Sequence, residues 1–163
     1  MKKLFLALLF VVAVGTAVAQ GVKVTNKGVG PLKTNMTIDQ VPASAEGLYD
    51  RVVLDDSFLT HLNFYMGEDL VMKGEVSGNT IYQISIFEKA NVYVELLGKK
   101  YRMGDNIKAL MQSPQFTFWR NTGTLVIDDE LSLSPKIRDD HRDFTDILFL
   151  ITVTYFDPND NEP

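Results

Sequence analysis

A chain of 163 residues with 45% hydrophobic side chains has the composition of a folded domain, not of a disordered segment. It contains no cysteine, which excludes both a disulfide framework and a thiol nucleophile. Sixteen basic against 21 acidic side chains give a formal charge of −5, which argues against a nucleic-acid partner, because phosphates call for a basic stripe.

Residues 1–19 read as a secretory signal peptide. Lys2 and Lys3 are followed by an apolar run over 4–14 and by the small-x-small triplet Ala17-Val18-Ala19. The run is too short to span a bilayer. The expected mature chain starts at Gln20 and lies in the periplasm or outside the cell. No cysteine follows the cleavage site, so no lipid anchor is expected. Without Lys2 and Lys3, 14 basic side chains face 21 acidic ones, a formal charge of −7.

Residues 20–30 read as a frayed strand carrying Val22 and Val24. An offset of 69 residues then links two stretches. Leu32, Asn35, Thr37, Ile38, Val41 and Ser44 stand that far before Tyr101, Gly104, Asn106, Ile107, Leu110 and Ser113. Asn35 and Gly104 are residue types that accept positive φ, which predicts a left-handed turn before each helix. Thr37 and Asn106 are good N-caps, and Ile38/Val41 and Ile107/Leu110 give each short helix an apolar stripe. Pro42 ends the first helix; the second, over 106–112, stops before Pro114.

Between and after these units the pattern alternates. Strands are predicted over 60–65, 70–76, 80–87, 91–96, 116–119, 124–127 and 146–156, joined by turns such as Ser77-Gly78-Asn79 and Arg120-Asn121-Thr122-Gly123. Short turns make the sheet antiparallel. The expected fold is α+β: one domain over 20–163 with two repeats of a turn, a short helix and an antiparallel meander. The repeats run over about 28–87 and 91–156, with the helices packed on one face of the sheet and a polar tail over 157–163.

The wording Gly30-Pro31-Leu32-Lys33-Thr34-Asn35-Met36-Thr37 with Gly47-Leu48-Tyr49-Asp50 resembles exported proteins of Gram-negative bacteria built from tandem units of this kind. The plan as a whole resembles the β-lactamase-inhibitor-protein-like fold and the small lipoproteins of the outer-membrane assembly machinery. That resemblance implies two helices on a sheet and a binding or scaffolding habit without catalysis. Asn35 departs from it where a glycine is expected, and the missing lipobox cysteine departs from a lipoprotein.

Motifs with chemical content are sparse, and none calls for a cofactor or a metal. Asp139-Asp140-His141-Arg142-Asp143 has one histidine and its own neutralising arginine, so a solvated loop is preferred to a cation site. Asp157 to Glu162 starts like a calcium loop but lacks the glycine at six and the glutamate at twelve. His61 has no nucleophile elbow to serve, and Asp55-Asp56 and Asp128-Asp129-Glu130 read as turns at strand ends, not as a glycosidase pair.

The expected function is therefore non-catalytic recognition of a protein or cell-envelope component through an open sheet face. Leu62, Phe64, Leu70, Met72, Tyr82, Ile84, Ile86, Phe149, Ile151 and Val153 are assigned to the covered face. His61, Asn63, Tyr65, Lys73, Glu75, Gln83 and Ser85 are assigned to the partner-binding face, with Trp119 as an aromatic anchor. Thr152 and Thr154 fall on the same face. A small periplasmic hydrolase or lyase, or a scaffold subunit of an envelope assembly, are the alternatives.

Overall fold

A computed structural model describes residues 20–57, 59–138 and 143–155. The signal peptide expected over 1–19, the tail over 157–163 and residues 139–142 of the polar cluster lie outside the described residues.

The first half of the chain forms three short strands, β1 (Val22–Thr25), β2 (Gly28–Val29) and β3 (Leu32–Lys33), then a 3-10 turn over Ile38–Gln40. A meander follows: β4 (Arg51–Asp55), β5 (His61–Met66), β6 (Asp69–Ser77) and β7 (Thr80–Ile86). The second half runs through β8 (Val92–Leu96), β9 (Lys99–Arg102) and the helix α1 (Lys108–Met111). A second meander closes it: β10 (Thr117–Trp119), β11 (Thr124–Val126), β12 (Leu131–Arg138) and β13 (Asp143–Thr154).

The two meanders join where β7 pairs antiparallel with β13, giving one eight-stranded sheet in the order β10-β11-β12-β13-β7-β6-β5-β4. A second, five-stranded sheet has the order β3-β2-β1-β8-β9, and its centre is a parallel pairing of β1 with β8. Buried side chains from both sheets form one cluster: Val24, Val29, Leu32, Val92, Val94 and Tyr101 from the small sheet, and Leu62, Phe64, Met72, Ile84, Ile86, Leu125, Leu133, Ile151 and Val153 from the large one. Tyr49 fits among them edge-on to Phe64, with ring centroids 4.9 Å apart, and its hydroxyl donates to the Pro42 carbonyl at 2.8 Å. That bond satisfies the one polar atom of an otherwise apolar plug.

The α+β expectation is overturned. Among the described residues, thirteen strands stand against one four-residue α-helix and one 3-10 turn, so no pair of helices covers the sheet. The cause is the short length of chain between each left-handed turn and the proline that follows it. Ile38 N–H donates to the Asn79 carbonyl in the β6–β7 turn and Ile107 N–H to the Asp146 carbonyl on β13, so these bonds anchor the helix starts and use N–H groups that have no partner within a helix. Pro42 and Pro114 close the other ends, leaving about one turn, too little to stand alone. The apolar stripe is nonetheless used: Ile107 and Leu110 are fully buried, while Ile38 and Val41 pack against the cluster.

The left-handed turns are present, with φ of +66° at Asn35 and +86° at Gly104. Their surroundings match. Asn35 N–H donates to Ile81 O and Ile81 N–H to Met36 O; Gly104 N–H donates to Leu148 O and Leu148 N–H to Asp105 O. Thr37 bridges Thr80, and Asn106 bridges Ile147. Each turn therefore delivers its chain onto the last strand of its own meander.

Strict alternation misplaces three residues. Leu70, Tyr82 and Phe149, expected on the covered face, are exposed. Tyr82 and Phe149 are each the extra residue of a β-bulge: Glu75 faces Gln83 while Val76 faces Ile81, and Ser134 faces Leu150 while Pro135 faces Leu148. A bulge inserts one residue and shifts the pleat beyond it. Leu70 follows from a third register shift, beside Val71, which is buried in its place.

Candidate functional site

The face of the large sheet turned away from the core is organised by register. Residues opposite one another on neighbouring strands share a face. One such row crosses all eight strands: Val53, Asn63, Lys73, Ser85, Thr152, Ser132, Val126 and Thr117. A second row beside it holds Asp55, His61, Glu75, Gln83 and Thr154. Six of the eight expected contact residues, His61, Asn63, Lys73, Glu75, Gln83 and Ser85, thus form a continuous block on β5, β6 and β7. All six are half-buried by their neighbours, as side chains standing on a flat pleat are.

The block is cross-linked. The Glu75 carboxylate accepts from the Tyr82 hydroxyl at 2.6 Å and from Gln83 Nε2 at 3.3 Å. Thr154 Oγ1 donates to Gln83 Oε1 at 3.4 Å, which carries the network onto β13. The bond to Glu75 pushes the Tyr82 hydroxyl above its ordinary pKa, with burial and the carboxylate's charge adding to it. Tyr65 continues the face along β5, and the Arg51 guanidinium stacks over its ring, 4.2 Å from the centroid. Lys73 makes no ion pair among the described residues.

Trp119 is on the same face but not in the block. It sits on the edge strand β10, opposite Thr124, with β11, β12 and β13 between it and β7. It is 54% exposed and lines an open groove of about 420 Å³ with Thr124, Val126, Ser132, Thr154 and the segment Asp128 to Leu131. Two of the three carboxylates there are engaged. Asp128 Oδ1 accepts the N–H groups of Glu130 and Leu131, and Glu130 pairs with Lys27 at 2.7 Å. A second open groove of about 370 Å³ is apolar, lined by Phe149, Leu150, Ile137, Phe144 and Pro135.

Several residues of this face escape a reading of the sequence. Ser132 and Ser134 lie on β12, a strand that Pro135 hides, although Leu131-Ser132-Leu133-Ser134 alternates cleanly. Phe149 and Tyr82 escape because bulges leave no periodic trace. Among the described residues, no three His, Asp or Glu side chains gather as metal ligands, and no helix is long and apolar enough to cross a membrane.

No family model, no curated protein and no solved structure matches the chain. None therefore identifies the families that the motif wording and the overall plan resemble.

Proposed function

We propose that the chain is an exported, non-catalytic binding protein, periplasmic or secreted, that recognises a protein or cell-envelope component through the open face of its eight-stranded sheet. The observation that carries this reading is the unbroken cross-strand row from Val53 to Thr117, with Lys73 within it, Tyr65 beside it on β5 and Trp119 beside it on β10. Hydroxyls, amides, an ammonium and two aromatics stand there on a rigid backbone, so a partner can be held without a deep cavity and without the sheet reorganising. The charged, apolar and small-residue order of 1–19 supports export.

The chain has one tryptophan, Trp119, and its fluorescence reports directly on this face. Capture from an envelope extract of the producing cells should be weakened by Tyr65→Ala/Lys73→Ala with the melting temperature nearly unchanged. Undiminished capture by the double variant rejects the face as the contact surface.

A further inference from the structure

Among the described residues, the large sheet has two unpaired edges, and they differ. β10 is three residues long and ends directly in the turn over 119–123, so shortness blunts it. β4 is five residues, Arg51-Val52-Val53-Leu54-Asp55, and among the described residues it pairs only with β5. It has no proline, no lysine and no bulge, three of the devices that keep an edge from pairing, and its two charges, Arg51 and Asp55, are of opposite sign. Val53 is 39% exposed and Leu54 51%. Leu54 is on the core-facing side of the sheet, opposite Leu62, yet it stays half exposed at the edge.

The sequence of this edge is complementary to itself. Run antiparallel against a second copy about Val53, it sets Arg51 against Asp55, Val52 against Leu54 and Val53 against Val53. Arg51, Val53 and Asp55 share the open face, because they stand opposite Tyr65, Asn63 and His61. Val52 and Leu54 share the other. Both charges therefore find opposite charges on one face, and the apolar pairs meet on the other. Both charged side chains are held in place. Arg51 stacks on Tyr65, and the Asp55 carboxylate accepts from the Ser57 N–H at 3.1 Å and the Ser57 hydroxyl at 2.8 Å.

We propose that β4 is a homodimer edge, pairing antiparallel with β4 of a second copy about Val53 and joining two eight-stranded sheets into one continuous sheet. The pairing is isologous: Arg51 meets the second copy's Asp55 and Asp55 meets its Arg51, so it closes after two copies. Its extent is limited to five residues. Beyond them Asp50 would face Asp56, and Asp50 is already turned to the Gly67 N–H at 2.8 Å. A contact this small gives a weak dimer. The dimer extends the open face across both copies and presents two copies of the block on β5, β6 and β7.

Sedimentation of the purified chain tests this, carried up to roughly 500 µM because small interfaces dissociate readily. The chain should sediment as a concentration-dependent dimer. Arg51→Asp and Asp55→Lys should each be monomeric, since each opposes like charges twice across the pair. An equimolar mixture of the two variants should recover the dimer. At one end of the mixed pair the introduced carboxylate meets the introduced ammonium, and at the other the native Asp55 of one variant meets the native Arg51 of the other. Val53→Lys, which opposes two ammonium groups at the centre, should give a monomer by an independent route. Circular dichroism checks that each variant is folded, and recovery in the mixture confirms it for the charge pair. A wild-type monomer at the highest concentration overturns the proposal. So do dimeric single variants, a mixture that stays monomeric, or an open-ended assembly, which would signal pairing of β4 with β10.

Discussion

Ser85 and Thr152 stand opposite each other at the centre of the eight-stranded sheet, with Ile84 against Val153 and Ile86 against Ile151 beside them. The strands they occupy, β7 and β13, end the two meanders, and each receives its own left-handed turn: β7 from Asn35, β13 from Gly104. The open face is thus assembled from two similarly tethered four-stranded pieces.

The matched turns give a direct stability prediction. A Cβ at Gly104 meets nothing within 4 Å, so only the backbone opposes a side chain there. With φ at +86°, Gly104→Val should cost about 1–3 kcal/mol in chemical denaturation, whereas Gly104→Asn should cost well under that, because asparagine already holds the equivalent turn at Asn35. Equal losses for valine and asparagine would show that something other than φ controls the position.

A different glycine is governed by space as well as by φ. Gly123 has φ of +68°, and a Cβ there would run into the Phe144 ring, which packs edge-on to Phe118 with centroids 6.0 Å apart. Gly123→Ala must displace that ring and strain the turn. A loss of about 2 kcal/mol or more is expected. If the extra cost comes from the ring, combining it with Phe144→Ala should recover part of it in a double-mutant cycle. Strict additivity of the two changes would rule out the clash.

The sequence points to the wrong fold class for a definable reason. Thr37 and Asn106 offer caps, and Ile38/Val41 and Ile107/Leu110 offer a helical stripe, but Pro42 and Pro114 leave little chain for a helix after each turn. What forms is one 3-10 turn, Ile38–Gln40, and one α-helical turn, Lys108–Met111, too short to make a layer on the sheet. The strands β5, β6 and β7 and the six-residue block on them are legible, because period-two alternation survives wherever the register is regular, whereas β4 and β12 fall outside every predicted strand. Tyr82, Phe149 and Leu70 are not, because each lies at a register shift. The separate small sheet is hidden as well: its central pairing of β1 with β8 joins residues 70 apart, such as Val22 and Val92.

That parallel pairing carries a pH-dependent contact. Lys23 on β1 donates to Glu95 on β8 at 2.9 Å. The hydrogen bond and the opposite charge raise the Lys23 pKa and lower that of Glu95. A depressed carboxylate stabilises the fold above its unfolded pKa, and that stabilisation is lost as pH falls through the folded value. A raised ammonium stabilises below its unfolded pKa and loses the contribution as pH rises through the folded value. The pair should therefore act as a plateau across neutral pH, failing in acid and in strong base. Both groups are solvent-exposed, so salt should weaken the effect. Titration by NMR of Lys23→Met should show the Glu95 pKa rising towards its ordinary value; no movement would mean the pair is not formed in solution.

Core packing predicts a contrast between the two faces of β5. Phe64 is fully buried against Tyr49, so Phe64→Ala should cost about 3–5 kcal/mol. Asn63→Ala, one residue away on the open face, should stay within about 0.5 kcal/mol. Calorimetric melting of the two variants checks this, and similar losses would mean that the open face is covered.

The central claim is that the open face, and not the outward side of the small sheet, meets the partner. Site-resolved photo-crosslinking in an envelope extract of the producing cells tests it most directly. A photoreactive residue is placed at Lys73 or Ser132 on the open face, or at Lys100 on β9, where the ammonium lies 4.5 Å from the Tyr93 ring centroid on the small sheet. One and the same partner should be trapped from Lys73 and Ser132, and not from Lys100. A partner trapped from Lys100 while Lys73 and Ser132 stay unlabelled would contradict the account.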